Sequence, residues 1–296
     1  MPRRICLFAH HDARGHIAPH VVHYLRDLAT CGFTTHLALS GMNALDENDR
    51  AALDRLGAVA HLRPNRGLDF GAWQDLVGAG CTDGADTILL ANDSVFGPLQ
   101  PLAPVFDDMQ SGGADVWGMV ESHESSWHLQ SWFLCFSAAG FASPAIRRVL
   151  QQPFGEMNKA EIVLHGELGL GAAIRADGLH WDARWRQPTR RLRRLVPGNA
   201  MHVDFLSVIR SGRVPFIKVE LLRDNPARVP WIAHWRQAVA VSRGLPVAWI
   251  DQHLSGGATH EAPQPPQSLR MRALYAAISR DQPEAIRSLL PGRIRR

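Results

Sequence analysis

Two short segments of this 296-residue chain hold residues whose types and spacing suit the binding of a phosphorylated ligand. In each segment small and polar residues directly follow an apolar run: Asn65, Gly67 and Asp69 in the first, and Asn92, Asp93 and Ser94 in the second. The apolar runs predict buried parallel strands, and loops at the carboxyl ends of such strands form the ligand sites of open α/β sheets. The two loops therefore predict a site for a nucleotide-type ligand.

The first segment combines a flexible backbone with a carboxylate. Gly67 allows the chain to turn and to approach a ligand closely. Asp69 comes at the predicted start of a helix, where its carboxylate either caps backbone amides or binds a ribose or a base edge. The alternative for Asn65 and Asp69 is a plain turn followed by a helix cap. Trp73, later in the same predicted helix, is expected in the core rather than as a stacking platform.

The second segment offers one carboxylate at the end of a strand. Asp93 follows the apolar run 88–91, at a position where it can hold a divalent cation against a diphosphate. Magnesium bound to phosphates often uses only one or two protein carboxylates, so a single aspartate is sufficient. The alternative is an Asx turn that ends the strand.

Alternating strands and helices are predicted to position these loops. The apolar periodicity predicts strands over residues 5–9, 33–39, 59–62 and 87–91, and helices over residues 17–29, 46–56, 70–77 and 101–109. Strands and helices that alternate at such intervals indicate a mostly parallel sheet. The predicted fold class is therefore α/β, with a Rossmann-like, mostly parallel central sheet flanked by helices.

The pattern changes after residue 115. Two further strands, over residues 116–120 and 129–137, enclose a polar loop that resembles an active-site insertion. A helix is predicted over residues 166–176, beginning at Glu167.

The C-terminal part is predicted as an elaboration of this fold. We expect one domain over residues 1–230 and a C-terminal extension over residues 231–296. The extension contains a Pro-rich linker at 263–266 and a final short helix at 269–278.

Composition and charge limit the classes of partner. With 46% hydrophobic and 20% charged residues, the chain can bury a large core and should be globular. Its formal net charge is +4, and arginines cluster between residues 184 and 194 and again between 293 and 296. Clustered arginine suits phosphate-bearing ligands or an anionic membrane face, with a solvated basic surface as the alternative. Nucleic acid is disfavoured because no groove-reading motif accompanies the charge.

The cysteines and the first apolar run favour a cytoplasmic protein. The four cysteines lack CxxC spacing and are expected to be reduced thiols: Cys6, Cys31, Cys81 and Cys135. Polar residues from His10 onward interrupt the first apolar run, so neither a signal peptide nor a spanning helix is expected, and any membrane association would be peripheral. Four tryptophans suit a membrane interface, stacking on acceptor sugars or the core: Trp181, Trp185, Trp231 and Trp235.

The two loops, in this order, resemble the rhamnan synthesis protein F family, a group of bacterial polysaccharide glycosyltransferases. The resemblance extends from residue 5 to residue 230 and includes four elements: Asn-x-Gly-x-Asp-x-Gly-x-Trp at 65–73, Asn-Asp-Ser at 92–94, His-x-Gln-Ser-aromatic at 128–132, and Pro-Phe-Ile-Lys-x-Glu-Leu-Leu-Arg-Asp-Asn-Pro at 215–226. It implies a GT-A type fold, in which an Asp-x-Asp motif after the fourth strand binds a sugar-nucleotide diphosphate through a metal. Here Ala91-Asn92-Asp93 provides one carboxylate where that class has two.

The resemblance also implies a reaction. In that class a carboxylate that opens a later helix is the catalytic base, and Glu167 matches it. A plain N-terminal helix carboxylate, favoured by the helix dipole, is the alternative. The implied reaction is an inverting transfer of a sugar, rhamnose from a dTDP or GDP donor, onto a lipid-linked cell-surface glycan such as O-antigen. The protein would then act in the cytoplasm, peripherally at the inner membrane.

Most individual site residues lie in the matched elements. His11 and Asp12 are added because they end the first strand, where nucleotide contacts in this fold class commonly occur, and His202 because it matches a histidine in the family's pattern. The implied contacts with the nucleotide-sugar donor are His11, Asp12, Asn65, Gly67, Asp69, Asn92, Asp93, Ser94, Lys218 and Arg223. The implied acceptor contacts are His128 and Gln130, and the implied ligands of a Mg²⁺ or Mn²⁺ ion are Asp93 and His202. Alternatively, Lys218 and Arg223 belong to an internal ion-pair network.

Two other functions stay open at the level of sequence. The single carboxylate of the second loop is consistent with a non-catalytic carbohydrate-binding protein on the same fold. The histidines at positions 10, 11, 16, 20 and 23 suggest a metal-dependent phosphoesterase, although their spacing matches no compact zinc motif.

Overall fold

Two compact units make up the described part of the chain in the computed structural model. Described residues are 2–186, 198–242, 244–256, 268–281, 283–284 and 286. The first unit comprises the described residues up to Asp93 together with Pro101–Arg186, and the second comprises Ser94–Gln100 with the described residues from 198 onward. The chain therefore divides near Arg186, whereas the predicted domain boundary at residue 230 stays a prediction. Most of the first arginine cluster, the Pro-rich linker and the C-terminal arginines lie outside the described residues.

Strands and helices alternate along the chain. The strands are β1 (Arg4–His10), β2 (Phe33–Ser40), β3 (Val59–Arg63), β4 (Thr87–Asn92), β5 (Val95–Phe96), β6 (Val116–Ser122), β7 (His128–Leu129), β8 (Phe133–Ser137), β9 (Trp181–Trp185) and β10 (Ile217–Lys218). The helices of the first unit are α1 (Pro19–Thr30), α2 (Glu47–Leu56), α3 (Leu68–Gly78), α4 (Ala103–Ser111), α5 (Ala138–Phe141), α6 (Pro144–Leu150), α7 (Lys159–Ile162) and α8 (Leu168–Ala176), with a 3₁₀ turn at Phe154–Glu156 and a π-helical turn at Val163–Glu167. The helices of the second unit are α9 (Ala200–Val203), α10 (Phe205–Arg210), α11 (Val219–Arg223), α12 (Trp235–Ser242), α13 (Val247–Gly256) and α14 (Leu269–Ile278), with a 3₁₀ turn at Ile232–His234.

An eight-stranded sheet, counted over the described residues, forms the centre of the first unit. Its order is β3-β2-β1-β4-β8-β6-β7, with β9 paired to β6. The neighbouring pairs among β1 to β4 are parallel, whereas β8 runs antiparallel between β4 and β6. Leu7, Leu37 and Leu89 are fully buried because helices cover both faces of these strands. The α/β class with a mostly parallel central sheet, predicted from the sequence, is confirmed.

Two glycines, one before α3 and one in its first turn, allow the chain to turn and pack closely at the start of this helix. Gly67 has φ +70° and is the N-cap of α3, a left-handed conformation that glycine adopts without strain. A Cβ atom on Gly71 would lie 2.4 Å from the carbonyl oxygen of Arg66. Trp73, two residues further, is fully buried, and its Nε1 donates a hydrogen bond to the carbonyl of Ala91. The prediction that Trp73 belongs to the core is confirmed.

Substitution of Gly71 by alanine is expected to destabilise the first unit. The new methyl group would force the Arg66 carbonyl away, at a cost of roughly 1–3 kcal/mol, as for other overpacked sites. Gly78→Ala in the same helix is the matched control, because no atom lies within 4 Å of a Cβ there and alanine is the better helix former. Urea unfolding of both variants measures the difference. Equal stability of the two variants would show that the Arg66 carbonyl can move aside without a measurable loss in the free energy of unfolding.

The second unit contains a short antiparallel pair of strands and the C-terminal helices. β5 pairs with β10, so that Lys218 aligns with Val95. Asp281, which is 1% exposed, accepts hydrogen bonds from two backbone amides at the start of α10 and from Trp231 Nε1. The final helix has the predicted bounds of 269–278.

The tryptophans offered as membrane or sugar contacts are mostly core residues. Trp185, Trp231 and Trp235 are buried, each within its own unit, and Trp181 is partly buried. Within the part of the chain that the structure describes, no helix combines the length and the apolar character that crossing a bilayer demands.

Candidate functional site

The carboxyl ends of β1 and β4 are joined by a histidine–aspartate pair. The two strands are parallel neighbours, and Ala9 aligns with Asn92 at this edge. Asp93 Oδ2 lies 2.6 Å from His10 Nδ1 and also accepts a hydrogen bond from the His11 backbone amide at 3.0 Å. The Nε2 atom of His10 is 3.2 Å from the carbonyl oxygen of His16. Both nitrogens of the His10 ring therefore face acceptors, as a protonated imidazole requires.

The opposite charges of His10 and Asp93 stabilise their ionised forms, which burial alone would disfavour. Burial by itself would lower the pKa of His10, which is 3% exposed, but the hydrogen bond and charge of Asp93 raise it above its usual value. For Asp93, burial favours a higher pKa, but His10 and the His11 amide bring the pKa below its usual value. The pair is therefore stabilised as an imidazolium–carboxylate ion pair, because each charge favours the ionised form of the other. The sequence predicted His11 as the donor contact and placed His10 only among the histidines of the phosphoesterase alternative, because only the structure shows which ring points at Asp93.

Asp12 is neutralised by a neighbouring arginine. Its carboxylate accepts hydrogen bonds from Arg14 Nε at 3.0 Å, Nη2 at 2.7 Å and the backbone amide at 2.7 Å. Burial raises the pKa of Asp12, but Arg14 more than compensates and lowers it to about 2. Donor contact by Asp12 stays a prediction, and its carboxylate is already engaged with Arg14.

The two loops meet at Asp69 and Asn92. Asp69 lies in the first turn of α3, and its Oδ2 accepts a hydrogen bond from the Asn92 side-chain amide. Asn92 is 2% exposed and ends β4. An amide at position 92 therefore has a structural reason, since it donates to a carboxylate that a second carboxylate would repel.

Substitution of Asn92 by aspartate is expected to destabilise the protein at pH 7. Two carboxylates would then face each other with the hydrogen bond lost, at a cost of roughly 2 kcal/mol. Repulsion raises the pKa of one of the two, so the folded state binds an extra proton and the loss shrinks as the pH falls towards 4. The swapped double variant Asp69→Asn/Asn92→Asp should recover most of the stability. Thermal unfolding between pH 4 and 8 measures this, and a loss independent of pH would contradict the repulsion.

The Asn65 loop joins the same edge of the sheet. A Cβ atom on Gly41, just after β2, would lie 3.4 Å from Asn65 Cβ and 3.8 Å from the His11 ring. The side chains of Asn65 and His11 therefore flank Gly41, where β1, β2 and β3 end together.

A buried arginine, which the sequence analysis missed, fixes this loop. Arg63 ends β3 and donates to Asp75 at 2.6 Å, to Ser40 Oγ at 2.8 Å and to the carbonyl of Arg66 at 2.7 Å. Arg63 is 9% exposed, so these hydrogen bonds replace most of the water contacts of its guanidinium group. A charged residue at the end of an apolar strand was the only sequence sign of this role.

Glu167 lies within a helix and not at its start, which corrects the sequence prediction. An Asn158 capping box starts the helix at Lys159, and the π-helical turn Val163–Glu167 joins α7 to α8. A carboxylate inside a continuous helix gains nothing from an N-terminal dipole, so that alternative is excluded. Such π turns occur frequently at functional sites.

A backbone amide holds the Glu167 carboxylate in place. Glu167 Oε1 accepts a hydrogen bond from the Ser131 amide at 2.7 Å. The preceding Gly166 packs against α3, because a Cβ atom there would lie 2.9 Å from the Phe70 ring. Phe70 directly follows Asp69, so the segment with Glu167 packs on the same helix turn that presents Asp69.

The two predicted acceptor residues are buried and position their neighbours. His128 is 5% exposed, with Nδ1 2.9 Å from the carbonyl of Ser126. Gln130 is 3% exposed, and its Oε1 accepts a hydrogen bond from Trp132 Nε1 at 2.8 Å. These contacts fix the chain on both sides of Ser131, whose amide holds Glu167. Direct acceptor contact by His128 and Gln130 stays a prediction.

The remaining predicted site residues belong to the second unit. The Ser94 carbonyl accepts a hydrogen bond from the Val219 amide next to Lys218, so β10 brings Ser94 and Lys218 together. Arg223, whose side chain is 42% exposed, forms an ion pair with the adjacent Asp224, with Nη2–Oδ2 at 2.7 Å. Donor contact by Lys218 and Arg223 stays a prediction.

His202, also in the second unit, is a buried neutral imidazole. It is 6% exposed, and its Nε2 lies 3.7 Å from Glu220 Oε2. Burial, together with the charge of Lys218, lowers its pKa to about 4. The ring is therefore neutral at pH 7, which is the form that binds metals.

Comparison with solved structures returns glycosyltransferases. The apo form of mouse xyloside xylosyltransferase 1 has a TM-score of 0.36 and 11% identity, covering 74% of this chain and 97% of that one. The glycosyltransferase GlyE of Streptococcus pneumoniae TIGR4 has a TM-score of 0.40 and 9% identity, covering 89% of this chain and 66% of that one. A search of curated protein sequences found no significant match.

The fold is α/β, with a mostly parallel central sheet whose strand ends carry the two loops. The family described as rhamnan synthesis protein F matches residues 39–256, and the chain belongs to this family. The resemblance inferred from the sequence motifs is confirmed. Membership supports a role in glycosyl transfer.

Proposed function

We propose that the protein is an inverting glycosyltransferase that moves a sugar from a nucleotide-sugar donor onto a growing cell-surface polysaccharide. Family membership supports rhamnose, supplied as dTDP- or GDP-rhamnose, as the transferred sugar. The proposed acceptor is a lipid-linked glycan such as an O-antigen precursor, reached from the cytoplasm by peripheral association with the inner membrane. The observation that carries the proposal is the meeting of Asp93, Asn92, Asp69 and Asn65 at one edge of the sheet.

The strand-end edge is suited to the donor diphosphate. Asp93 uses Oδ2 for both of its hydrogen bonds, and among the described residues no hydrogen-bond partner is found for Oδ1. The side chain is 23% exposed, and its lowered pKa keeps it ionised. A hard carboxylate oxygen of this kind fits Mg²⁺ or Mn²⁺, which would supply charge neutralisation for the departing nucleoside diphosphate. His202 and Lys218 stay proposed donor or metal contacts, each to be tested by its own variant.

Glu167 is the proposed base of the transfer. Its Oε1 is oriented by the Ser131 amide, so Oε2 is the oxygen proposed to take the proton of the acceptor hydroxyl. The hydroxyl oxygen forms a bond to the anomeric carbon as the bond from that carbon to the diphosphate oxygen breaks. The configuration at the anomeric carbon is inverted, and the nucleoside diphosphate leaves with the electron pair of the broken bond.

A nucleotide screen tests the proposal. Thermal unfolding is measured with UDP, GDP, dTDP or CMP, with and without Mn²⁺. A ligand present at 100 times its dissociation constant stabilises the native state by about 2.7 kcal/mol. We expect a rise in melting temperature with dTDP or GDP. Failure of every nucleotide to raise it would contradict the proposal.

Four of the five histidines near the N-terminus do not support the phosphoesterase alternative. His10 is paired with Asp93, whereas His16 lies 3.1 Å from Asp46, the residue that caps α2. Among the described residues, His16, Asp46 and Asp49 form a group that could hold a metal ion, whereas no such group contains His10, His11, His20 or His23.

A further inference from the structure

Two histidines and one cysteine come together on the first unit, away from the strand-end loops. His36 lies in the middle of β2, His61 lies on the neighbouring β3, and Cys81 follows the end of α3. His36 aligns with Val59, and Ala38 aligns with His61, so the two imidazoles are diagonal neighbours on one face of the sheet. None of the three residues has a role in the proposed sugar transfer.

The ligand atoms of these side chains form a compact triangle. His36 Nδ1 lies 3.0 Å from His61 Nε2, and Cys81 Sγ lies 3.9 Å from the same His61 nitrogen. All three ligand atoms lie within 4.8 Å of one another. In a tetrahedral zinc site, the usual bond lengths separate two nitrogens by about 3.3 Å and a nitrogen from a sulfur by about 3.6 Å. The observed separations differ from these values by a few tenths of an ångström, which rotation of the side chains can supply.

We propose that His36, His61 and Cys81 form a binding site for one zinc-type divalent metal ion. Two imidazoles and one thiolate are the ligand types that zinc prefers, and a solvent molecule would complete the tetrahedron. On binding, the Cys81 thiol releases its proton to solvent, whereas both histidines bind as neutral imidazoles.

The protonation states of the three groups agree with this chemistry. Burial, with a contribution from His61 and Arg3, lowers the pKa of His36, and burial lowers that of His61. Both rings are therefore neutral at pH 7 and do not need to lose a charge. Burial raises the pKa of the Cys81 thiol, and Asp83 adds to that rise, so metal binding should strengthen as the pH increases.

The position of the site gives it a structural role. β3 is the edge strand of the sheet, and the chain runs from β3 through the Asn65 loop into α3. His61 lies before that loop and Cys81 lies after the helix. A metal ion bound to both would therefore tie the two ends of the segment that carries Asn65 and Asp69.

The test uses the full chain, produced without a histidine tag and stripped with a chelator. One equivalent of Zn²⁺ should bind per chain and raise the melting temperature in the absence of any nucleotide. Co²⁺ should give the near-ultraviolet charge-transfer absorption of a cobalt–thiolate bond. A failure of nucleotide binding would leave these results unchanged, so the two proposals are tested separately.

Variants identify the ligands. His61→Gln and Cys81→Ser should each weaken zinc binding by at least about 100-fold, more than the loss of an outer-shell partner. Cys31→Ser is the matched control, because both thiols are 6% exposed and Cys31 is absent from the cluster. His61 is only half-buried, so its variant should fold even if Cys81→Ser does not. Substoichiometric zinc, or unchanged affinity in His61→Gln, would overturn the proposal.

Discussion

Replacing Glu167 by glutamine is expected to lower the kcat of sugar transfer by about 10²–10⁴-fold, the usual contribution of a positioned general base. The amide oxygen of glutamine can still accept the hydrogen bond from Ser131, which is 2.7 Å long in the native protein. The fold and the donor site should therefore be preserved, while the group that takes the acceptor proton is lost. Steady-state kinetics with the donor identified in the nucleotide screen measures the effect.

Separate measurements distinguish a base from a structural residue. The melting temperature of Glu167→Gln and its response to nucleotide should match those of the native protein. Glu124→Gln is the matched control, since Glu124 is exposed and its hydrogen bonds to Ser122 and Ser126 are made by its backbone amide and carbonyl. Native kcat in Glu167→Gln would exclude the base role, and an equal loss of donor affinity and kcat would point to a positioning role instead.

Replacing Asp93 by alanine is expected to lower both the stability and the activity of the protein. The variant leaves His10, which is 3% exposed, without its counter-charge, and breaking a buried ion pair in this way costs about 3 kcal/mol. It also removes the carboxylate proposed to stabilise the leaving diphosphate, which should reduce kcat by about 10²–10³-fold. Chemical unfolding and kinetics measure the two losses independently.

The destabilisation should depend on pH. The His10 pKa is raised in the folded state, so its contribution is full below its unfolded value of about 6.5 and is lost as the pH rises through the folded value. The Asp93 pKa is lowered, so its contribution is full above about 3.9 and is lost as the pH falls through the folded value. The difference between native protein and Asp93→Ala should therefore be largest between about pH 4 and 6.5 and shrink on either side.

His10→Gln separates the two roles of Asp93. This variant removes the positive partner and keeps the carboxylate, so it should lose stability while its nucleotide response still depends on Mn²⁺. If His10→Gln abolishes that dependence as completely as Asp93→Ala does, Asp93 acts only through the ion pair. If Asp93→Ala is as stable as the native protein at pH 5, the His10–Asp93 ion pair does not stabilise the fold.

The apolar runs were sufficient to predict the elements that carry the site. The runs ending near His10 and Asn92 are buried on both faces, so nearly every side chain in them is apolar, and the turn residues mark where they stop. Parallel strands put these ends at one edge, which is why Asn65, Asp69 and Asp93 could be grouped from spacing alone. The motifs were also specific enough to indicate the family.

Contacts between distant residues could not be predicted in the same way. His10 and Asp93 are 83 residues apart, and the choice of His10 over His11 depends on which way each side chain leaves the strand. Glu167 was expected at a helix start, but the capping box at Asn158 and the π turn make one continuous helix. The buried Arg63 was missed because its three partners come from three separate segments.

The sequence alone thus determined the α/β class, the two loops at strand ends and the family, because these depend on local apolar patterns and on short motifs. Only the tertiary structure decided which polar atoms pair: His10 with Asp93, Asn92 with Asp69, and Ser131 with Glu167. Side-chain hydrogen bonds form over about 3 Å between residues whose separation along the chain carries no information about their distance in space. For this reason the candidate site could be located from the sequence, whereas its charge states and its hydrogen bonds required the folded chain.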